Sequence, residues 1–194
     1  MKKVVFIDRD GVINKDPGGW TEYNYVTTWK EFIFLPNSIK ALRRLNDAGY
    51  DIVVVSNQAG ISKGYYSKRQ LDEINQNMIN KIEENGAKLK KVYYCIHQDS
   101  DNCSCRKPKT GLFKQAEREL NIKSAGNYFI GDGKADIEAG KRINMRTVLV
   151  LSGKTDLEKV DSWSIKPDYI FEDLSEAVNF VLNEDTTYGT RKVT

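Results

Sequence analysis

No stretch of this chain approaches the ~20 consecutive apolar residues that a helix needs to cross a bilayer, and the amino terminus runs directly into an apolar strand without a secretory-signal layout. Both absences predict a cytoplasmic protein with no membrane partner. Neither sign of charge dominates: 30 Lys and Arg stand against 27 Asp and Glu, a net of +3, which argues against a nucleic-acid partner. Cysteine is scarce, three in 194 residues. The number is odd and Cys103 and Cys105 are too close in sequence for an easy mutual bridge, so a disulfide framework is not expected. There is no internal repeat, no low-complexity tract and no surplus apolar helix face, and the chain is expected to be a monomer. At 40% hydrophobic residues, it can bury one sizeable core.

What is present is a regular alternation of apolar runs and helix-period segments. Strands are predicted near 3–8, 51–56, 91–95, 127–131 and 146–150, with helices at 37–48, 67–85, 111–121 and 135–142, and a final strand and helix at 169–171 and 173–183. Repeated βα units of this kind imply an α/β fold, a Rossmann-like doubly wound, mostly parallel sheet with helices on both faces. Residues 1–184 are expected to form a single domain, and the polar segment 185–194 a frayed tail. The connection 14–35, with Trp20, Tyr23, Tyr25 and Trp29, is long for a compact domain, and such loops usually serve binding.

The first strand, Val4-Val5-Phe6-Ile7, ends in Asp8-Arg9-Asp10-Gly11. Ligands of open α/β sheets bind at the carboxyl ends of strands, and two carboxylates two residues apart can hold a divalent cation or divide nucleophilic and acid/base roles. The second strand ends in Ser56-Asn57-Gln58, a hydroxyl with backbone N–H groups suited to phosphate oxygens. The third leads through a loop to Arg106-Lys107-Pro108, and the fourth ends in Gly131-Asp132, with Asp136 a helical turn later. Each alone reads equally well as a turn, a solvated lysine or a helix cap. Their coincidence at one sheet edge favours phosphoryl chemistry.

All three cysteines and the single histidine fall between Cys95 and Cys105. Cys95, His97, Cys103 and Cys105 make a closed tetrahedral donor set for structural Zn²⁺. The alternative is three unligated thiols beside an exposed histidine. Because Arg106-Lys107 follows at once, a zinc-stapled loop would also aim two cations at the strand ends.

In this order, Asp8-Arg9-Asp10-Gly11, Ser56-Asn57-Gln58, Lys107 and Gly131-Asp132 with Asp136 resemble the four motifs of the haloacid dehalogenase (HAD) phosphatase superfamily, over residues 4–150. The resemblance implies sheet order 5-4-1-2-3 and no large cap domain. It further implies catalytic roles for Asp8 (nucleophile), Asp10 (acid/base), Ser56 and Lys107, and a catalytic Mg²⁺ held by Asp8, Asp10 and Asp132. Asp136 would orient Lys107 or a metal-bound water.

Within the superfamily, Cys-x-His followed by Cys-x-Cys-Arg-Lys-Pro resembles the heptose 1,7-bisphosphate phosphatases and the related histidinol-phosphate phosphatases. That implies a small phosphorylated substrate, here a sugar bisphosphate. Arg106 would contact the phosphate that stays on the sugar, since its planar fork suits the task. Asp16 and Gly19, with Trp20 and Tyr23, would line the mouth, and Asn57 and Gln58 would face the substrate. Two departures stand out: Gly133 occupies the place after the motif-four aspartate where the family usually has lysine, and the zinc loop is short. Histidinol phosphate, or another sugar or polyol phosphate, remains an alternative substrate. A receiver domain fits poorly because its acceptor aspartate ends the third strand, where this chain has Cys95. An inactive zinc-stapled binding module would be expected to lack Asp8 or Asp10.

Overall fold

The computed structural model describes residues 3–190. Six strands, β1 (Lys3–Ile7), β2 (Tyr50–Asn57), β3 (Lys91–Cys95), β4 (Tyr128–Gly131), β5 (Arg146–Val150) and β6 (Tyr169–Phe171), form one sheet in the order β3-β2-β1-β4-β5-β6. Every pairing is parallel. The expected order 5-4-1-2-3 is present, extended by β6 beside β5, and the sheet is wholly rather than mostly parallel.

The helices are α1 (Ser38–Asp47), α2 (Lys68–Glu84), α3 (Gly111–Leu120), α4 (Lys134–Arg142), α5 (Leu157–Asp161) and α6 (Leu174–Thr190). α2 starts where the sequence signals it: the Ser67 hydroxyl accepts from the Gln70 N–H at 3.2 Å while the Gln70 side chain accepts from the Ser67 N–H at 2.9 Å. Such a reciprocal cap contributes about 1 kcal/mol. The short α5 has too few turns to show a helical period and was not expected from the sequence. α6 continues past 183 to Thr190, into the segment expected as a tail; the remainder of that segment, 191–194, lies outside the described residues.

Side-chain alternation along β1 sorts the core into two layers. Val5 and Ile7 point to the side of α1, α2 and α6, packing with Leu42, Leu45, Met78 and Val178. Val4 and Phe6 point to the side of α3, where Phe6, Phe113 and Phe129 lie with ring centroids 5.5 and 5.0 Å apart. Both layers are dry, so beyond its exposed first residue, Lys3, β1 carries no polar residue until its end. The connection 14–35 holds a 3-10 turn at Trp29–Glu31 and is anchored by buried Val26 and Phe32; no second sheet or helical cap stands there.

Candidate active site

The parallel register brings four strand ends to one edge. Ile7 pairs with Val54 on one side and Ile130 on the other, and the Asp8 N–H donates to the Ile130 carbonyl at 2.9 Å. Asp8 therefore leaves the sheet centre between the segments that carry Ser56 and Asp132. The chain then turns sharply at Gly11, where φ is +77° and a Cβ would lie 2.4 Å from Asp132 Oδ2. Only glycine meets both demands. From the β5 side, Gly153 approaches the same carboxylate closely enough that a Cβ would stand 2.1 Å from Oδ2.

Lys107 is the hub of the site. Its Nζ donates to Asp8 Oδ2 at 2.9 Å, to Asp136 Oδ1 at 2.7 Å and to the Val55 carbonyl at 2.7 Å, and it is 3% exposed. Three acceptors match its three donors, so the ammonium is fixed and stays charged: burial opposes the charge, and Asp136 and Asp8 outweigh it and push the pKa up. Asn57 holds the Lys107 backbone from both sides, donating to its carbonyl and accepting from its N–H, each at 3.0 Å. The Lys107–Pro108 peptide is cis.

The carboxylates are crowded. Asp8, Asp132 and Asp136 each bring an oxygen within 4.8 Å of the others. Burial pushes the Asp8 carboxyl up to about 6, against Lys107 and with help from Asp136. Burial likewise pushes Asp132 up to about 7, against Lys154 and with Asp136 and Asp8 adding to the rise. Asp132 is fully buried and its Oδ1 has no hydrogen-bond partner. A buried carboxylate oxygen that receives no hydrogen bond, held only by an ion pair to the Lys154 ammonium at 3.3 Å and close to two further carboxylates, is a fit for a hard divalent cation such as Mg²⁺.

Asp10 is treated differently. Burial works against its charge, but Arg9, Asn14 and Gln58 outweigh that and hold its carboxyl below the usual carboxylate range. Arg9 donates from Nε at 3.2 Å and Nη2 at 3.0 Å, Asn14 Nδ2 at 2.8 Å and Gln58 Nε2 at 2.7 Å. Arg9 is itself buried and its Nη1 donates to Asn75 of α2 at 3.2 Å. Gln58 also donates to Ser56 Oγ at 2.9 Å and accepts from the Tyr66 hydroxyl at 2.7 Å.

The four zinc-type donors also converge. The Cys95 sulfur lies 3.5 Å from His97 Nδ1, 3.6 Å from the Cys103 sulfur and 3.0 Å from the Cys105 sulfur, and Cys105 lies 3.3 Å from His97 Nδ1. Donors at normal bond lengths around a tetrahedral Zn²⁺ stand roughly 3.3–3.8 Å apart, so one edge is tighter and the others fit. No disulfide links them. The Arg106 N–H donates to the Cys103 sulfur at 3.4 Å. Burial opposes the Cys103 thiolate, but backbone N–H groups of Arg106 and Cys105 draw its pKa down to about 7. Arg106 itself is ion-paired to Asp99 at 2.8 Å, and the Ser62 hydroxyl donates to Asp101 at 2.7 Å, tying the cysteine loop to the segment after β2.

Asp8, Asp132, Lys107 and Asp136 are thus brought together, and Ser56 and Asp10 are joined to each other through Gln58. Asn57 and Gln58, expected to face substrate, hydrogen-bond to the Lys107 backbone and to Asp10. Asp16 accepts from the Gly18 N–H at 2.9 Å, and the Gly19 N–H donates to Asn24 at 2.9 Å, so both are engaged in shaping the mouth loop. Sequence reasoning passed over Arg9, Asn14, Tyr66 and Lys154. A charged residue between two carboxylates at the end of a buried strand was a usable sign for Arg9. The polar run Ser152-Gly153-Lys154 directly after β5 was one for Lys154.

A HAD-hydrolase-like family model matches residues 104–177. The D-glycero-beta-D-manno-heptose-1,7-bisphosphate 7-phosphatase of Haemophilus ducreyi is 37% identical over 188 residues, covering 93% of this chain and 98% of that protein. The alpha-anomer 7-phosphatase of Photorhabdus laumondii is 34% identical, covering 82% and 88%. The crystal structure of a D,D-heptose 1,7-bisphosphate phosphatase from B. bronchiseptica, complexed with magnesium and phosphate, superposes with a TM-score of 0.85 at 28% identity, covering 94% and 99%. With the motif residues assembled at one sheet edge and this similarity over nearly its whole length, the chain belongs to the HAD-like phosphatases, in the family of the heptose-1,7-bisphosphate 7-phosphatases.

Proposed function

We propose that this protein hydrolyses the C7 phosphate of D-glycero-D-manno-heptose 1,7-bisphosphate through a phosphoryl group carried on Asp8, and that residues 1–184 act as one catalytic domain. The observation that carries the reading is the fixed Lys107 ammonium between Asp8 and Asp136, with the Asp132 oxygen that receives no hydrogen bond beside them. Relatives bearing that activity cover almost all of the chain.

Asp8, Asp132 and the Asp10 carbonyl would hold Mg²⁺, which when bound supplies the positive charge that lets an anionic carboxylate approach an anionic phosphate. Asp8 attacks phosphorus in line and the bond to the sugar oxygen breaks. Asp10 gives a proton to that oxygen, then takes one from the water that cleaves the Asp8 acyl phosphate. The three side chains that donate to Asp10 favour its ionised form, which suits the second task; for the first it must collect a proton on substrate binding. Ser56 donates to a phosphoryl oxygen in transit and the fixed Lys107 ammonium lends its charge beside Asp8, while Asp136, Asn57 and Gln58 keep those groups in place.

Cys95, His97, Cys103 and Cys105 would hold Zn²⁺ in a structural role, and the loop so ordered would deliver Arg106 to the phosphate that remains on the sugar. Arg106 must leave Asp99 to do so. We read the enzyme as cytoplasmic, where unpaired thiols stay reduced, and as a monomer, since among the described residues the exposed large apolar side chains, such as Ile33 and Leu157, are few. Among the described residues no helix is long and apolar enough to cross a membrane.

The test compares kcat/KM for Mg²⁺-dependent phosphate release from both anomers of the heptose bisphosphate, fructose 1,6-bisphosphate and histidinol phosphate. A preference of about two orders of magnitude or more for one heptose anomer, the size that matched polar contacts can supply, is the expected result. A preference for histidinol phosphate would transfer the enzyme to that reaction with the same catalytic groups.

A further inference from the structure

Lys154 is the one cation of the site that the motif pattern did not include. It is delivered by the loop after β5, and that loop is pinned to the catalytic turn. The Ser152 hydroxyl donates to the Gly11 carbonyl at 2.7 Å, Gly153 lies against the Asp132 carboxylate, and the Lys154 N–H donates to Asp132 Oδ2 at 3.0 Å. The side chain then folds over Gly133, its Cε only 2.5 Å from where a Cβ at 133 would stand, and sets its ammonium 3.3 Å from Asp132 Oδ1. The space beside the motif-four aspartate, empty of a side chain at Gly133, is filled from the neighbouring strand.

The two lysines of the site are held in unlike ways. Lys107 is buried, with three hydrogen-bond acceptors. The Lys154 side chain is 56% exposed, and its contact with Asp132 is an ion pair without a hydrogen bond, since Oδ1 has no hydrogen-bond partner. Lys107 cannot leave without stranding two buried carboxylates, whereas Lys154 can turn to solvent at little cost. The charges fit this division. Three carboxylates, Asp8, Asp132 and Asp136, face two ammonium groups, which leaves one negative charge. A divalent cation converts that to one positive charge and takes Oδ1 away from Lys154.

We propose that Lys154 is a placeholder cation: it neutralises Asp132 before the metal binds, and once the metal takes that oxygen its ammonium turns to the phosphoryl group being transferred. The inference rests on the Mg²⁺ site proposed above.

Two readouts test it on the full-length protein. Mg²⁺ binding is measured calorimetrically without substrate, and orthovanadate inhibition is measured on the Mg²⁺-loaded enzyme. Lys154→Met removes the competitor, so Mg²⁺ should bind roughly fivefold more tightly, the yield of one partly exposed ion pair. Vanadate should bind about tenfold more weakly, for loss of one charge-assisted contact. Lys154→Arg, which keeps the charge, should restore vanadate affinity, and Lys154→Gln repeats the neutral substitution should the Met variant fold poorly. Unchanged or weaker Mg²⁺ binding in the neutral variants overturns the placeholder role, and undiminished vanadate affinity overturns the turn toward phosphate. Asp132→Asn is measured alongside: abolished Mg²⁺ binding leaves any failure to Lys154 alone, while wild-type binding overturns the metal site and this inference with it.

Discussion

The carboxylate cluster and the cysteine cluster lie on either side of Arg106-Lys107 and are held by different means. Asp8 and Asp132 sit at the ends of central strands, their backbones fixed by sheet hydrogen bonds and by the dry layers around Phe6 and Phe129. Cys103 and Cys105 sit in a loop with no regular structure beyond the 3-10 turn at Asp99–Asp101. The oxygen site is positioned by the fold before any ion arrives, while the sulfur site is tied to the sheet through Cys95 at the end of β3 and draws its other ligands from the loop. A rigid sheet edge suits chemistry that tolerates little misplacement. A metal-stapled loop suits a specificity contact such as Arg106, which must exchange Asp99 for substrate.

If that division is right, damage on one side should leave the other standing. The largest effect is expected from Asp8→Asn: kcat should fall at least about a thousandfold, as for loss of a nucleophile, with zinc content and the unfolding midpoint little changed. Zinc loss in that variant would show the clusters to be coupled. Arg106→Ala should lower kcat/KM for the bisphosphate by roughly a hundredfold, in keeping with a bidentate phosphate contact, while leaving a monophosphate nearly untouched. Equal losses on both would remove Arg106 from the second phosphate. Cys103→Ser should abolish zinc binding and reduce kcat/KM by about 10–100-fold, the usual reach of a supporting shell. Its Mg²⁺ affinity, measured by calorimetry, should hold, because the carboxylates stand on strands.

Smaller effects sharpen the comparison. Asn57→Ala releases both backbone hydrogen bonds that hold Lys107 and should lower kcat by about tenfold, at about 1 kcal/mol per bond. Mg²⁺ binding should also be linked to protons. Burial raises Asp8 to about 6 and Asp132 to about 7 in the metal-free protein, and the ion requires both ionised. Apparent Mg²⁺ affinity should therefore fall as pH drops from 8 through 7 and 6, with protons released on binding, a release that calorimetry in buffers of different ionisation enthalpy detects. Zinc retention over the same range should follow its own course, governed by the thiols.

Much of this arrangement was legible in the chain. The strand β1 was plain because both of its faces are dry, so Val4 to Ile7 had to be uniformly apolar, and β5 was bounded for the same reason; β3, an edge strand with Val92 and Tyr94 half-buried, was bounded by its β-favouring Val-Tyr-Tyr run. The aspartates were legible as well, since they begin where that apolar run stops. The supports were harder to read. Gln58 and Asn57 act through partners distant in sequence, 48 residues to Asp10 and 50 to Lys107, while Arg9 and Asn14 lie close to Asp10 in the chain but reach it only because the turn at Gly11 folds back. Lys154 reaches the site because β5 happens to flank β4, a fact of topology rather than of local pattern. α5 is too short to show a period, and β6, three residues long, could be placed in the chain but not in the sheet order.

The account stands most directly on the phosphoryl group borne by Asp8. Asp10→Asn enzyme, mixed with heptose bisphosphate and Mg²⁺ and quenched in acid, should accumulate an acid-stable phosphoryl label on the peptide containing Asp8, because attack proceeds slowly while the water that clears the intermediate lacks its base. Turnover by that variant with no label on Asp8, or with the label on another residue, would contradict the mechanism and the division of roles built on it.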